Sequence, residues 1–469
     1  MNTGRISEVH NPYDGSVIDT VVEASTDDVE QACKAAYDAL DDMSAMTAYE
    51  RSNALFEAWR RLGDERERLA SLVCQEVGKT ICEARGEIGR AMEVVRLASE
   101  EAKRFAGEQI PFDGASNGAG KTGFFMYVPA GVVAAIVPFN FPMVLTAHKL
   151  APALAAGNSV VLKPPPQAPL AACQFATIFQ EAGFPDGAVN VVPGGAKVGD
   201  ALVRNNRVGV VAFGGSDRTG EIVARAAGMK RLLLECGSTA SVTIMETGYS
   251  KQALDACVRA GYSVAGQMCI HMQRLFVQNS IFDEVRDEFV QRAGALVVGD
   301  PRKEDTDVGP MIDVAAAERV ESWIQEAVAD GATVVTGARR DGNLFSPTVL
   351  TGVKPDMKVF AQEVFGPVVS IIGVADVDEA IELTNATDYG LNTGIFTNRL
   401  DEALPFVRRV HHGSVFVNEV SAWRADIMPY GGVKRSGIGR EGIRYAMEAM
   451  SEKKVVSMQL PPVGGDDEQ

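Results

Sequence analysis

No run of about 18 consecutive apolar residues occurs in this 469-residue chain, so no segment reads as a transmembrane helix. The opening residues MNTGRISEVHNPYDG lack a basic region followed by an apolar one, which argues against a secretory signal. There is no C-x-x-C pair. The seven cysteines (Cys33, Cys74, Cys82, Cys173, Cys236, Cys257 and Cys269) are odd in number and scattered. That disfavours a disulfide framework or a zinc site, and a reducing, cytoplasmic setting is expected. Histidine is scarce too: five in all, two of them adjacent at His411 and His412, with no grouping suited to ligating a metal. Positive charge is in deficit, 45 Lys and Arg against 62 Asp and Glu, for a formal net charge of −17. Nucleic acid and anionic membranes are therefore excluded as main partners, since both demand clustered cations. An anionic ligand would have to be held by local cations or helix N-termini against the mean field.

What is present suggests two to three domains of ordinary composition. Residues 26–106 carry apolar residues at three- and four-residue intervals among charges, the pattern of amphipathic helices packed on another layer. The Gly-rich segment that follows breaks the helices, and KTGFFMYV reads as an extended arm. From residue 132 short apolar runs alternate with helical stretches: VVAAIVP, SVVLKP, AVNVVP, VGVVAFGG and RLLLECG, each separated from the next by a helix-like piece. Such alternation predicts an α/β fold with a five-stranded, doubly wound parallel sheet, which binds ligands at the carboxyl ends of its strands. A second α/β series starts near residue 240. The expected division is a dinucleotide-binding domain over 1–111 and 131–236 and a catalytic domain over 237–445. A small β oligomerisation arm and tail is expected over 112–130 and 446–469, with the terminal PPVGGDDEQ as a frayed end.

Polar residues collect at the predicted carboxyl ends. Asn140 follows VVAAIVP, Lys163 ends SVVLK, Gly214, Gly215 and Ser216 form a turn opening a helix, and Glu235 ends RLLLE. FGGSDRTG is not G-x-G-x-x-G, but small residues before a helix still let backbone approach a diphosphate; the same glycines also serve as an ordinary turn. Cys269, in GQMCIHMQR, has two readings: a buried, inert thiol or a nucleophile needing a base. His271 lies two residues on, where side chains diverge; Glu235 is the better base.

Together these residues carry a resemblance. PFNFP (138–142), GNSVVLKP (157–164), VVAFGGS (210–216), LLLECGS (232–238), GQMC (266–269), EVFGPV (363–368) and MPYGGVKRSGIGREG (428–442) resemble, in order, the motifs of the aldehyde dehydrogenase superfamily. The resemblance covers essentially the whole chain. It implies that Cys269 attacks an aldehyde to give a thiohemiacetal and then a thioester, with Asn140 and the Cys269 N–H stabilising the oxyanion. Glu235 would activate the hydrolytic water. It further implies coenzyme contacts from Pro138, Lys163, Gly215, Ser216, Glu363 and Phe365, a place near the chemistry for Lys149, and a homodimer or homotetramer built through the arm and EKKVVSMQL. Glu441 resembles a second, proton-relaying carboxylate, or is a helix-start carboxylate.

The departures from the pattern are informative. KPPP puts Pro166 where NAD-preferring relatives carry a ribose-binding Glu, so NADP is expected to be favoured, with NAD also accepted. LECGS puts Cys236 beside the base, read here as packing. Arg424, in SAWRADIMPYGG, resembles the branch of lactaldehyde, non-phosphorylating glyceraldehyde-3-phosphate and succinate-semialdehyde-like enzymes. It would grip an anionic aldehyde, or else pair structurally with Asp426. Met268 stands where phosphoaldehyde relatives often carry Arg, and the residue after Asn140 is not the His that phosphonoacetaldehyde enzymes carry there. His271, flanking the nucleophile, is the second expected substrate contact. Substrates in view are lactaldehyde, glyceraldehyde-3-phosphate, succinic semialdehyde and sulfolactaldehyde. The competing readings are a CoA-acylating or aromatic-aldehyde relative, a cysteine hydrolase without nicotinamide, and a catalytically dead binding protein.

Overall fold

A computed structural model describes residues 5–460. The expected frayed end PPVGGDDEQ begins at Pro461 and lies outside the described residues. Two large sheets dominate. In the first, Val132–Ile136, Ser159–Lys163, Val189–Val191, Val208–Gly214 and Arg231–Glu235 are parallel neighbours. Numbered along the chain, their order is 3-2-1-4-5, the doubly wound arrangement predicted from the βα alternation. The central strands are buried along their whole length, which is why they read as unbroken Val/Ala/Leu runs. The order reverses between Val132–Ile136 and Val208–Gly214, and the crevice outside that point is where a nucleotide fits.

One strand of this sheet was not anticipated. Gly437–Ile438 joins it antiparallel to Arg231–Glu235, and the helix Ile443–Ala449 packs into the same core. Residues 437–449 thus return to the first sheet ahead of the expected boundary at 445. The second sheet has seven strands, ordered Thr333–Thr336, Thr348–Thr351, Val368–Val374, Arg274–Gln278, Ser241–Ile244, Asn392–Phe396 and Ser414–Val417, parallel except for the first pair. No described helix is long and apolar enough to cross a membrane.

Of the N-terminal helices, Ala48–Asp64 and Ile81–Ala102 pack with Pro142–Ala155 on one face of the first sheet, and Thr26–Asp38 covers the opposite face beside Ala196–Arg204. Thr26–Asp38, Ala48–Asp64 and Ile81–Ala102 start at capping boxes formed by Ser25 with Asp28, Thr47 with Glu50 and Thr80 with Glu83, each satisfying otherwise orphaned N–H groups. Three carboxylates from the N-terminal helices reach into the protein. Glu76 accepts from Leu170 and Ala171 N–H, 2.8 Å each. Glu87 accepts from Met143 and Val144 N–H and pairs with Lys79 at 2.6 Å. Glu83 accepts from Val264 N–H at 2.7 Å. Each caps a backbone segment of the layer above, so the helices fix loops as well as covering a sheet. The predicted arm is Lys121–Pro129, paired antiparallel over its full length with Ser451–Gln459.

Candidate active site

A cavity of about 740 Å³ opens along the carboxyl edge of the first sheet. Lys163, Pro165, Pro166, Gln167, Gly199 and Asp200 line it at one end, Pro138, Gly214, Gly215 and Ser216 along its length, and Glu363 and Phe365 opposite. Asn140, Glu235 and Cys269 also line it. The sheet contributes these side chains because its strands end there: Lys163 and Glu235 are the last residues of their strands. Ser216 is the N-cap of the helix Asp217–Ala227, its hydroxyl accepting from Thr219 N–H, so a helix N-terminus faces the cavity. Burial lowers the Lys163 ammonium to about 8; its Nζ donates to the Pro164 carbonyl at 2.9 Å and meets no carboxylate within 4.0 Å among the described residues.

Glu363 and Phe365 sit on a tight loop. Burial pushes the Glu363 carboxyl up to about 8, and it accepts from Ser238 N–H at 2.9 Å. A Cβ at Gly237 would lie 2.2 Å from that carboxylate, so a side chain here would displace Glu363 from its place. Phe365 is left-handed, at φ 47°, and its ring meets Phe139 edge-on at 5.9 Å. An aromatic residue there is strained by about 1–3 kcal/mol.

Cys269 follows another strained turn. Val264 and Ala265 have φ of 53° and 51°, a conformation that a β-branched residue strongly resists. Glu83 and Gln267 hold the turn: Glu83 accepts from Val264 N–H, and the Val264 carbonyl accepts from both Gln267 N–H and Gln267 Nε2. Asn140 Nδ2 donates to the Gln267 carbonyl at 2.8 Å, which ties the loop of Asn140 to the loop of Cys269. An amide nitrogen carries two hydrogens, so one donor remains. Asn140 Oδ1 is buried without a partner among the described residues; orphaned buried atoms of this kind tend to occur at functional sites.

Cys269 Sγ lies 3.1 Å from the hydroxyl of Tyr430, which in turn lies 3.5 Å from Glu235 Oε1. Burial and the adjacent Glu235 carboxylate push the thiol well above its usual range, against the Tyr430 hydrogen bond. Burial, then repulsion from Glu441, also lifts Glu235 out of the ordinary carboxylate range. Thiol, phenol and carboxyl thus form an acid–base row, with the phenol and the carboxyl buried and the thiol partly so. Tyr430 was not singled out from the sequence; its signal was an aromatic hydroxyl inside MPYGG.

Behind this row lies a cluster of buried charges. Lys149 pairs with Glu441 at 3.0 Å. Arg424 Nη2 donates to Glu441 at 3.1 Å and contacts His148 at 2.8 Å, while its Nε lies 3.5 Å from Asp426. Arg90 closes the set on Asp426 at 2.7 Å. Burial opposes ionisation of Glu441, but the Lys149 and Arg424 charges outweigh it and hold the carboxyl below its usual range. Glu441 therefore faces the cluster rather than capping the helix that follows. Arg424 pairs with Asp426 as its structural reading required, and it stacks 3.8 Å from the Tyr430 ring centroid; like Lys149 and Glu441 it lies behind the residues that line the cavity.

His271 is a correction. Its Nε2 hydrogen-bonds the Gly261 carbonyl at 2.9 Å, inside the second sheet's packing, and it does not line the cavity. Burial lowers it to about 4, so it is a neutral structural histidine. Cys236 packs against Gly220, where a Cβ would come within 2.5 Å of its sulfur, and burial lifts its thiol to about 12. Among the described residues no cluster of His, Cys, Asp or Glu could hold a metal.

The Aldehyde dehydrogenase family profile matches residues 1–456. The 3-sulfolactaldehyde dehydrogenase of Priestia aryabhattai is 42% identical over 98% of this chain and 96% of its own length. Among solved structures, aldehyde dehydrogenase 21 from Physcomitrella patens, in complex with the reaction product succinate, superposes with a TM-score of 0.96 at 37% identity, covering 98% of this chain and 96% of that one. A glyceraldehyde-3-phosphate dehydrogenase from Methanocaldococcus jannaschii, complexed with NADP, gives 0.94 at 36% identity over 98% and 100%.

Glu83 accepts two N–H groups, Val264 with Oε1 and Thr80 with Oε2, and Glu83→Gln leaves one acceptor oxygen for both. We expect this variant to lose about 1–3 kcal/mol of stability in urea unfolding and to turn over more slowly as the strained turn relaxes. Unchanged stability and rate would show that the turn holds itself. With this site at the carboxyl edge of a doubly wound sheet, and with that similarity over nearly its whole length, the chain belongs to the aldehyde dehydrogenase family and is an NAD(P)-dependent oxidoreductase.

Proposed function

We propose that the protein oxidises a small polar or anionic aldehyde to its carboxylic acid, with NADP favoured over NAD. One observation carries this: Cys269, Glu235 and Asn140 line the same cavity as the residues suited to a dinucleotide. That cavity fits such a group, with a helix N-terminus at Ser216, an uncompensated Lys163 and bare backbone at Gly237. Lys163 and Ser216 would hold its phosphates, with Pro138 and Gly215 as close walls. Glu363 would hold the nicotinamide ribose, and Phe365 the ring. A bound nicotinamide supplies the hydride acceptor.

The chain's own residues do the remaining work. The Cys269 sulfur attacks the carbonyl carbon, and the free N–H of Asn140 Nδ2, with the Cys269 N–H, receives the developing oxyanion. Loss of hydride from this thiohemiacetal leaves a thioester on Cys269. Glu235 then takes a proton from water, which attacks the thioester and releases the acid. Lys149 and Glu441 hold the charge balance behind Glu235; held ionised by Lys149 and Arg424, Glu441 serves there as a fixed anion rather than as the proton relay the resemblance implied. A dry carboxylate beside the thioester favours hydrolysis over transfer to CoA.

For the substrate, Arg90, Lys149 and Arg424 are paired with Asp426 and Glu441, and Lys149 and Arg424 also face Glu235. A guanidinium this near the thiol supports an anionic or strongly polar aldehyde. Arg424 Nη1 makes no hydrogen bond among the described residues, so a donor is left for a carboxylate or sulfonate. Candidates are lactaldehyde, sulfolactaldehyde, succinic semialdehyde and glyceraldehyde-3-phosphate, the last disfavoured by Met268. A screen of NAD(P)H release across these and aromatic aldehydes should single out an anionic or hydroxylated substrate. Cys269→Ser should abolish turnover, and Arg424→Ala should raise KM for anionic substrates tenfold or more, about 1.4 kcal/mol. Full activity on aromatic aldehydes alone, or an unchanged KM, would overturn this substrate class.

Pro166 supports the coenzyme preference, because position 166 carries no carboxylate to repel a 2′-phosphate, and Asp200, at the same end of the cavity, is paired with Arg204 at 2.9 Å. Pro166→Glu should shift the ratio of kcat/KM for NADP over NAD toward NAD by tenfold or more. A wild-type enzyme ten times more efficient with NAD would refute the preference.

The arm supports a homodimer or homotetramer. Phe124, Met126, Val455 and Met458 expose apolar side chains on the paired strands Lys121–Pro129 and Ser451–Gln459, and open apolar edges are normally covered. Light scattering should give two or four times the 50.0 kDa chain mass; a monomer would exclude this.

A further inference from the structure

We propose that Tyr430 is a catalytic residue of this site: its hydroxyl passes the Cys269 thiol proton to Glu235 and then donates to the thiolate left behind. The inference rests on Cys269 being the nucleophile, and goes beyond it by assigning how that thiol is deprotonated.

The geometry comes first. The Tyr430 hydroxyl is 3.1 Å from Cys269 Sγ and 3.5 Å from Glu235 Oε1, and Tyr430 is 1% exposed. Packing explains the ring, which sits with Ile270 and Leu391 and beneath the Arg424 guanidinium. It does not explain the hydroxyl, since phenylalanine would fill the same space. The position is rigid: Tyr430 N–H and Glu441 N–H donate to each other's carbonyls, so the tyrosine and the cluster carboxylate are one unit. Arg424 above the ring stabilises electron density on the phenol as the proton passes.

The step balances. The S–H bond of Cys269 breaks and its proton bonds the Tyr430 oxygen, while the phenolic proton moves to Glu235 Oε1. The products are a thiolate, an unchanged tyrosine and a neutral Glu235. The new O–H points at the sulfur and lowers the energy of its anion. Glu235 lines the cavity and returns to its basic form when that proton leaves through it.

The pH behaviour is set by every element packed around the row. Glu235 comes from the strand Arg231–Glu235, Lys149 from the helix Pro142–Ala155, and Glu363 from the loop before Val368–Val374. Arg424 and Glu441 come from the C-terminal segment. Burial and the Glu235 and Glu363 carboxylates disfavour the thiolate, Glu235 in part through its own hydrogen bond with the thiol, whereas the Tyr430 hydrogen bond favours it. Without the hydroxyl the thiol's titration should therefore move up.

The test is Tyr430→Phe in the full-length protein. Alkylation by iodoacetamide is followed by mass on the Cys269 peptide across pH, which separates it from exposed thiols such as Cys82. We expect the midpoint to rise by about one pH unit and alkylation at pH 7 to slow about tenfold. The NAD(P)H burst should slow by the same factor, with KM and melting temperature unchanged. Fluorotyrosine at 430, which keeps a more acidic hydroxyl, should restore the burst and move the midpoint back down. An alkylation midpoint in Tyr430→Phe identical to that of the wild type would overturn the relay. Wild-type turnover by Cys269→Ser would instead overturn the nucleophile assignment beneath it.

Discussion

The site depends on one short antiparallel pairing. Gly437 sits opposite Glu235 and Ile438 opposite Leu234, with Cys236 N–H donating to the Ser436 carbonyl at 3.0 Å and Ser436 Oγ to the Gly237 carbonyl at 2.9 Å. A Cβ at Gly437 would meet the Leu234 carbonyl at 2.1 Å, and its φ is 143°, so only glycine closes this clasp. Because it closes, the C-terminal segment crosses the end of the Glu235 strand. That crossing sets Tyr430, Glu441 and Arg424 beside Cys269 and Glu235.

A second constraint comes from the N-terminal helices. Glu83 and Glu87 lie one helical turn apart on the same face. One caps the left-handed turn that leads to Cys269, and the other caps the helix that begins two residues after Asn140. A single rigid helix therefore sets the spacing between the two loops that supply the proposed oxyanion donors. The strain at Val264 and Ala265 is tolerated because a charge-assisted hydrogen bond, worth about 1.5–3 kcal/mol, offsets much of it. Strain at the site and buried acids in a distant helix belong to one device.

The charge pattern follows from burial. Glu235 and Glu441 are both carboxylates in the same dry region, yet they are driven in opposite directions. Two cations hold Glu441 ionised, and its negative charge helps keep Glu235 hard to ionise. Separating two similar groups in this way is how one site obtains a permanent anion and a titratable base.

The sequence alone determined the doubly wound sheet, because strands buried on both faces must be unbroken apolar runs separated by helices. It also marked Asn140, Lys163, Ser216 and Glu235, since residues ending such strands converge on one edge. It singled out Cys269 only through resemblance, because nothing local distinguishes a reactive thiol from a packed one. His271 misled for the same reason: adjacency along the chain does not give a shared direction, and its ring points to Gly261. Tyr430, Glu83 and the clasp at Gly437 were decided by tertiary structure. Their partners lie 161, 181 and about 200 positions away in the chain, and only folding brings hydrogen-bonding groups at such separations into contact.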